Sequence, residues 1–459
     1  MLTINSIIME KKQKGVSRRD FLNRSALGIA GLASLTILPS WATNGVRVAP
    51  SDRVVLGFIG LGRQGVSDFQ AFSACPGVQV AACSDVDSIK RERFLKLTSA
   101  WQDSKNVPGS CEAYEFYEQL LERKDIDAIA IATPDHWHAL NAIHSCQSGK
   151  DVFCQKPLSY TISESIAMVK AARDNKRVFQ VGSQQRSGEE FQKAISLVRT
   201  GAIGYIDKVY VRLGEPPTPF DLPEVAVPKN LNFNQWLGPL NNPNVHYHPD
   251  ICPPISHPEL RERGDWGRWR YFKETGNGFT GDWGAHMVDI AQAALGMDGI
   301  TPIEYIPIGY NGTKYSTMIY GNGIVMTEQP YREDKPNDKG VQFIGSKGWV
   351  KVSRGYIECS DPSLLKRAER DVAAGSYEIS SPHMQNFVDC VRSRKNPIAP
   401  VEAGCSTNIA CCLVNIAHEL GRPVKWDPAT LSFNGDKEAA EHRLYWYEYR
   451  NPYVLPYWK

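Results

Sequence analysis

An α/β architecture that opens with a doubly wound parallel sheet is the fold class this sequence predicts, on three observations. Short, almost wholly apolar runs at 53–59, 78–83, 128–133, 151–154 and 177–181 read as strands buried on both faces. Helical stretches at 66–74, 114–123, 139–148 and 163–175 separate most of them. That alternation argues for parallel strands joined by right-handed crossovers. The third observation is a glycine-rich turn placed directly after the first run. A chain of 459 residues is long enough for two to three domains.

The elements follow in order. Lys11, Lys12 and Lys14 precede Ser17-Arg18-Arg19-Asp20-Phe21-Leu22, an apolar stretch at 26–38, and the small residues Ser40 and Ala42. A charged region, a short apolar region and a cleavage site make a signal peptide over 1–42. Its paired arginines followed by Phe-Leu resemble a twin-arginine export signal, so the export machinery is an expected partner and the periplasm the expected location. Gly28, Gly31, Ser34 and Thr36 dilute the apolar stretch, which is shorter than the ~20 residues that span a bilayer, so no membrane anchor is expected. The 52 basic and 50 acidic side chains leave a net charge of +2, which gives no field for nucleic acid. The 11 cysteines contain no Cys-x-x-Cys pair, so neither a disulfide framework nor a zinc site is expected. His136, His138, His246 and His248 lack a convincing set of partners for a metal, and none is expected.

The first strand runs into Gly60-Leu61-Gly62-Arg63-Gln64-Gly65 and then a helix. Such glycines permit a tight turn and close approach of a pyrophosphate to the helix N-terminus. Asp85 ends the second strand 20 residues beyond Gly65, the spacing at which an acid meets the adenosine ribose. A carboxylate there repels a 2′-phosphate, so NAD is expected rather than NADP. Beyond the carboxyl ends of later strands, where ligands bind in such sheets, lie Thr133-Pro134-Asp135-His136-Trp137-His138 and Gln155-Lys156-Pro157.

With these motifs in order, and with Asp282-x-x-x-His286 later, the chain resembles the glucose–fructose oxidoreductase/inositol dehydrogenase/rhizopine catabolism (Gfo/Idh/MocA) family. Its C-terminal part is similar to a subgroup common in Bacteroidetes and planctomycetes. The resemblance implies a nucleotide-binding domain over 43–184 and a substrate and oligomerisation domain over 185–459, the latter built on a large, mostly antiparallel sheet. Strand-like runs at 206–213, 303–310, 317–320, 324–328, 341–344 and 349–353, punctuated by Gly and Asn, agree with that. The Pro- and Trp-rich stretch 215–279 is expected to fold over the site, and the aromatic tail 445–458 to pack on a neighbouring subunit. Trp236, Trp266, Trp269 and Trp283 are candidates for stacking on a sugar. The resemblance places Thr133, Pro134, His138 and Lys156 against the cofactor, and Lys156, Arg186, Asp282 and His286 against the substrate.

Spacings of four and seven put Asp282, His286 and Asp289 on one helical face. Alcohol oxidation needs a base for the hydroxyl proton, for which histidine is suited. The resemblance makes Lys156, Asp282 and His286 the expected catalytic set, and the chemistry assigns the roles: His286 as base, Asp282 orienting the imidazole, and Lys156 bonded to the reacting hydroxyl. The family commonly reads Glu-Lys-Pro, whereas Gln155 precedes Lys156 here. The expected function is an exported, NAD-dependent oxidoreductase acting on a ring hydroxyl of a sugar, glycoside or polyol, such as oxidation to a 3-keto sugar. A tightly held NAD would solve cofactor recycling outside the cytoplasm. Two alternatives remain: an NAD-dependent glycosidase or lyase working by transient oxidation and elimination, and a non-catalytic sensor.

Overall fold

The computed structural model describes residues 52–253, 266–373 and 382–458. The expected export signal lies outside them. The first sheet contains β1 (Val54–Ile59), β2 (Val78–Ser84), β3 (Glu112–Tyr114), β4 (Ala128–Ile131), β5 (Asp151–Cys154) and β6 (Phe179–Val181). Their order is β3-β2-β1-β4-β5-β6, and every neighbouring pair is parallel. β4 and β5 are buried at every position, as strands covered on both faces must be. The crossovers carry α1 (Arg63–Ser73), α2 (Ser88–Lys105), α3 (Tyr117–Leu121), α4 (Asp135–Gln147) and α5 (Ile162–Asp174). The helix expected over 114–123 is shorter than that, because Tyr114 instead closes the edge strand β3.

The chain then forms α6 (Glu189–Arg199), β7 (Ile206–Val211), α7 (Phe233–Leu237), α8 (Gly278–Asp282) and α9 (Gly284–Leu295). Next come β8 (Pro302–Ile306), β9 (Thr317–Tyr320), β10 (Val325–Glu328), β11 (Val341–Gly345), β12 (Gly348–Ser353) and β13 (Tyr356–Cys359). The chain continues through α10 (Pro362–Ala373), α11 (His383–Ser393), α12 (Val401–Leu420) and β14 (Val424–Lys425). The second sheet has eight strands in the order β13-β12-β11-β7-β10-β9-β8-β14. Only β7 and β10 run parallel; the other pairs are antiparallel. α6, α9 and α12 bury their apolar faces with the strands in one core that includes Val209, Met287, Ile290, Phe343 and Leu413.

α11 returns to the first sheet. Its Met384, Phe387, Val388 and Val391 join Phe58, Phe72 and Phe153 in one cluster. Phe387 meets Phe72 and Phe153 at ring separations of 6.0 and 5.8 Å. Much of the stretch 215–279 has a small core of its own, with Leu231, Phe233, Trp236, Tyr247, Ile251 and Phe272. The aromatic tail, expected on a neighbouring subunit, packs on its own chain. Tyr449 donates to Glu164 at 2.7 Å, Tyr453 donates to Gln235 at 2.9 Å, and the Tyr453 ring lies 5.4 Å from Trp137. These contacts reach α5, α7 and α4, while Trp446 and Val454 of the same tail stay exposed.

Candidate active site

The glycine turn is built by close backbone approach. Gly60 has φ +86°, and a Cβ there would lie 2.7 Å from the carbonyl of Ala132 and the nitrogen of Thr133. A Cβ on Gly65 would lie 2.0 Å from the Gly60 carbonyl oxygen. Gly62, by contrast, faces open space and starts α1 with no side-chain cap. The helix N–H groups are thus left for a ligand, and the turn has the room and the donors that a diphosphate needs. Asp85 ends the neighbouring edge of the cleft. Its Oδ2 accepts from Leu61 N at 2.7 Å and its Oδ1 from Asp87 N at 2.9 Å, which ties the acid to the turn.

Two adjoining cavities open here. The first, of about 530 Å³, is lined by Gly60, Gly62, Arg63, Gln64, Asp85, Thr133, Pro134, His138, Lys156 and Asp282. Sequence distance had separated these residues; the parallel sheet brings those up to Lys156 to one edge, and α8 adds Asp282. The second cavity, of about 670 Å³, shares Gln155, Lys156, Arg270 and Asp282 with the first and adds Trp283, His286 and Arg354. The stretch 215–279 supplies a wall, as expected, through Trp266, Trp269 and Arg270. Trp266 lies between two guanidinium groups, Arg63 at 4.8 Å and Arg270 at 5.0 Å from its ring. Trp236 is buried in the small core, so of the four tryptophans it has the least freedom to meet a ligand.

The polar partners differ from expectation. Lys156 donates from Nζ to the Asp282 carboxylate, and at 3.2 Å to the Asp282 carbonyl. Burial works against the ionised Asp282, but Lys156 and Arg270 outweigh it and hold the carboxyl at about 2. Asp282 was expected to orient His286. It ends α8 while His286 lies in α9, and the nearest cation takes its carboxylate instead. His286 Nε2 meets Arg354 Nη2 at 3.1 Å, while its buried Nδ1 has no partner. A guanidinium only donates, so Nε2 accepts and Nδ1 carries the proton. Burial first, then the charges of Lys156 and Arg354, push the imidazole well below its usual range. His286 is therefore neutral at neutral pH.

Asp289 and Arg186 leave the site altogether. Arg186, expected to touch substrate, is 1% exposed and donates to Asp289 at 2.7–3.0 Å, to Asp298 at 2.7 and 3.0 Å, and to the Ile398 carbonyl. All its nitrogens are engaged within the fold, so it holds α9 to the segment after β6. His138 lines the first cavity, yet its nitrogens lie 2.9 Å from the carbonyl oxygens of Pro157 and Thr133. Both nitrogens thus face backbone carbonyls at the strand ends, and a neutral imidazole can donate to only one of them. His136 is fully buried with Nε2 on the Trp236 carbonyl. Among the described residues no group of three His, Cys, Asp or Glu could hold a metal ion, and no helix is long and apolar enough to cross a membrane.

Residues 54–183 match the NAD-binding Rossmann fold of the Gfo/Idh/MocA oxidoreductases, and residues 217–454 match the C-terminal alpha/beta domain of the same group. The chain belongs to the Gfo/Idh/MocA oxidoreductase family. Its cofactor is NAD, and the open glycine turn and Asp85 are the parts of this chain that fit it. Among curated relatives, a glycosyl hydrolase family 109 protein of Shewanella pealeana is 30% identical over 203 residues, covering 41% of this chain and 44% of the relative. An uncharacterised oxidoreductase, YrbE, of Bacillus subtilis is 31% identical over 167 residues, covering 36% and 46%. The chain thus aligns with less than half the length of these relatives. The same fold occurs in the WlbA dehydrogenase of Bordetella pertussis, solved with NADH and UDP-GlcNAcA. That likeness has a TM-score of 0.57 at 17% identity and covers 82% of this chain and 98% of WlbA.

Two members of this Gfo/Idh/MocA site escaped the sequence reading. Arg354 sits in the turn between β12 and β13, 68 residues from His286, and no local pattern marks it. Asp68 lies three residues past Gly65 in α1, where it read only as a helix residue. Its carboxylate is buried in the wall of the second cavity.

Proposed function

We propose that this chain is an exported oxidoreductase that oxidises a ring hydroxyl of a sugar, glycoside or polyol. The observation that carries the reading is the Lys156–Asp282 ion pair at the junction of the two cavities, with a neutral His286 beside it. NAD, when bound, supplies the hydride acceptor. Lys156, anchored by Asp282, donates a hydrogen bond to the reacting oxygen and stabilises its developing negative charge. His286 offers Nε2 to the hydroxyl proton once the substrate displaces the Arg354 N–H. Arg270, stacked on Trp266 and Trp269, lends a second positive charge to the pair. The arginine pair and apolar stretch of residues 17–38 support export by the twin-arginine route to the periplasm, and assembly as a homo-oligomer belongs to the same reading.

The test is a panel of glycosides and polyols incubated with the NAD-loaded protein, followed by NADH absorbance and by mass detection of keto products. His286→Ala and Lys156→Ala should each cut turnover at least about a hundredfold in folded protein. Near-normal rates in both would sink the assignment.

The family 109 glycosyl hydrolase relatives favour a second reading, in which oxidation is transient and elimination breaks the glycosidic bond. Cleaved glycoside without net NADH would establish it, whereas accumulating NADH with intact linkages supports the first.

A further inference from the structure

Asp68 is 1% exposed, yet it carries a carboxylate. Gln155 Nε2 donates to both of its oxygens at 2.9 Å, and Gln64 Nε2 donates to Oδ1 at 2.8 Å. Gln155 itself is clamped. A Cβ on Gly182 would fall 2.6 Å from Gln155 Oε1 and 3.0 Å from its Cα, so the amide occupies space that only glycine leaves. Its Oε1 faces the Lys156 backbone N–H at 3.4 Å.

The polarity of this chain of bonds follows from chemistry. The two amide donors favour the ionised form, which predominates above about pH 7 and only accepts, so there it obliges Gln155 to turn its NH₂ toward Asp68 and its oxygen toward Lys156. A side chain that could also donate would leave that amide free to reverse. Burial raises the Asp68 carboxyl to about 7, against the lowering effect of the two amides. A carboxylate kept in such a place needs a reason, and packing alone does not supply one.

We propose that Asp68 is a positioning residue for catalysis, fixing the Gln155 amide and through it the backbone that presents Lys156, while Gln64 couples the same carboxylate to the nucleotide turn. Position 155 holds an amide, and the carboxylate it meets stands across the gap on α1. The proposal rests on the oxidoreductase reading of Lys156, but its test separates the two.

The experiment compares three variants of the full NAD-loaded protein: Asp68→Asn, Gln155→Met, and Asp68→Asn combined with Gln155→Glu, in which carboxylate and amide trade places. Asp68→Asn should lower kcat at least tenfold, with sugar KM and NAD Kd within threefold of the parent. Gln155→Met should do the same without altering residue 68, which covers the case that Asp68→Asn fails to fold. The exchanged pair should return to within threefold of the parent. A parallel measurement needs no substrate: the rate of Lys156 Nζ acetylation by acetic anhydride, followed by mass spectrometry. It should change at least threefold in both single variants and return in the exchanged pair. Unchanged kcat and unchanged Lys156 reactivity in the single variants would overturn the proposal, as would an exchanged pair no better than Asp68→Asn. If the parent oxidises no carbohydrate, the oxidoreductase reading fails, and Lys156 reactivity alone decides the role of Asp68.

Discussion

At the scale of single residues, the site is a set of charges that hold one another in defined states. His286 is kept neutral by burial and by the cations Lys156 and Arg354. A neutral imidazole can accept a proton, but its low proton affinity means that the acid limb of activity from this residue falls well below pH 6.5. Removing one of the cations reverses part of that effect. Arg354→Gln should therefore raise the His286 pKa and move the acid limb of kcat/KM to higher pH, read from the rate profile and from imidazole NMR shifts. An unmoved limb would mean that another group controls it. The acid, lysine and histidine of this cluster were legible in the sequence because each belongs to a spaced motif. The partner of each was not, because partners are set by which strand ends and turns the sheets bring together. Asp282 found Lys156 from 126 residues away, and His286 found Arg354 from a turn between strands.

At the scale of elements, the buried strands were readable because burial on both faces leaves an unbroken apolar run. α2 was not anticipated, and its sequence explains why. Its buried positions are Lys90, Phe94, Thr98 and Gln102, a stripe of period four containing one hydrocarbon side chain. A polar stripe of that kind gives no hydrophobic periodicity to detect. The tail illustrates the opposite case, in which aromatic character was evident but its destination was not. Tyr449 donates to Glu164, whose carboxyl is raised to about 7 by burial, the Tyr449 bond acting against that rise. A carboxyl raised in the folded state contributes stability below its unfolded pKa of 4.5, and that contribution is lost as pH climbs through 7. Tyr449→Phe should cost about 1–3 kcal/mol, because it strips a donor from a buried acceptor. The loss should be larger at pH 8 than at pH 5, since the ionised acid depends on that donor more. Urea denaturation at the two pH values measures it, and equal losses would count against the ionised state.

At the scale of the whole molecule, the two sheets are not independent. Arg394 of the C-terminal half ion-pairs with Asp151 of β5, and α11 supplies Phe387 and Val388 to the core beneath β1. A fragment ending at residue 184 would leave Phe72 and Phe153 without their cover, so it should bind the dye ANS and lack a cooperative thermal transition. A sharp melt of that fragment would refute this view of the core. The doubly wound sheet was legible from the sequence, whereas the origin of its last covering helix, some 200 residues downstream, was not. That helix also sets an order of events during synthesis. The glycine turn leaves the ribosome well before α11, the helix that covers its sheet. The nucleotide turn and the helix that covers its sheet are thus made at well-separated moments, and the turn's own sheet stays uncovered on that side in between.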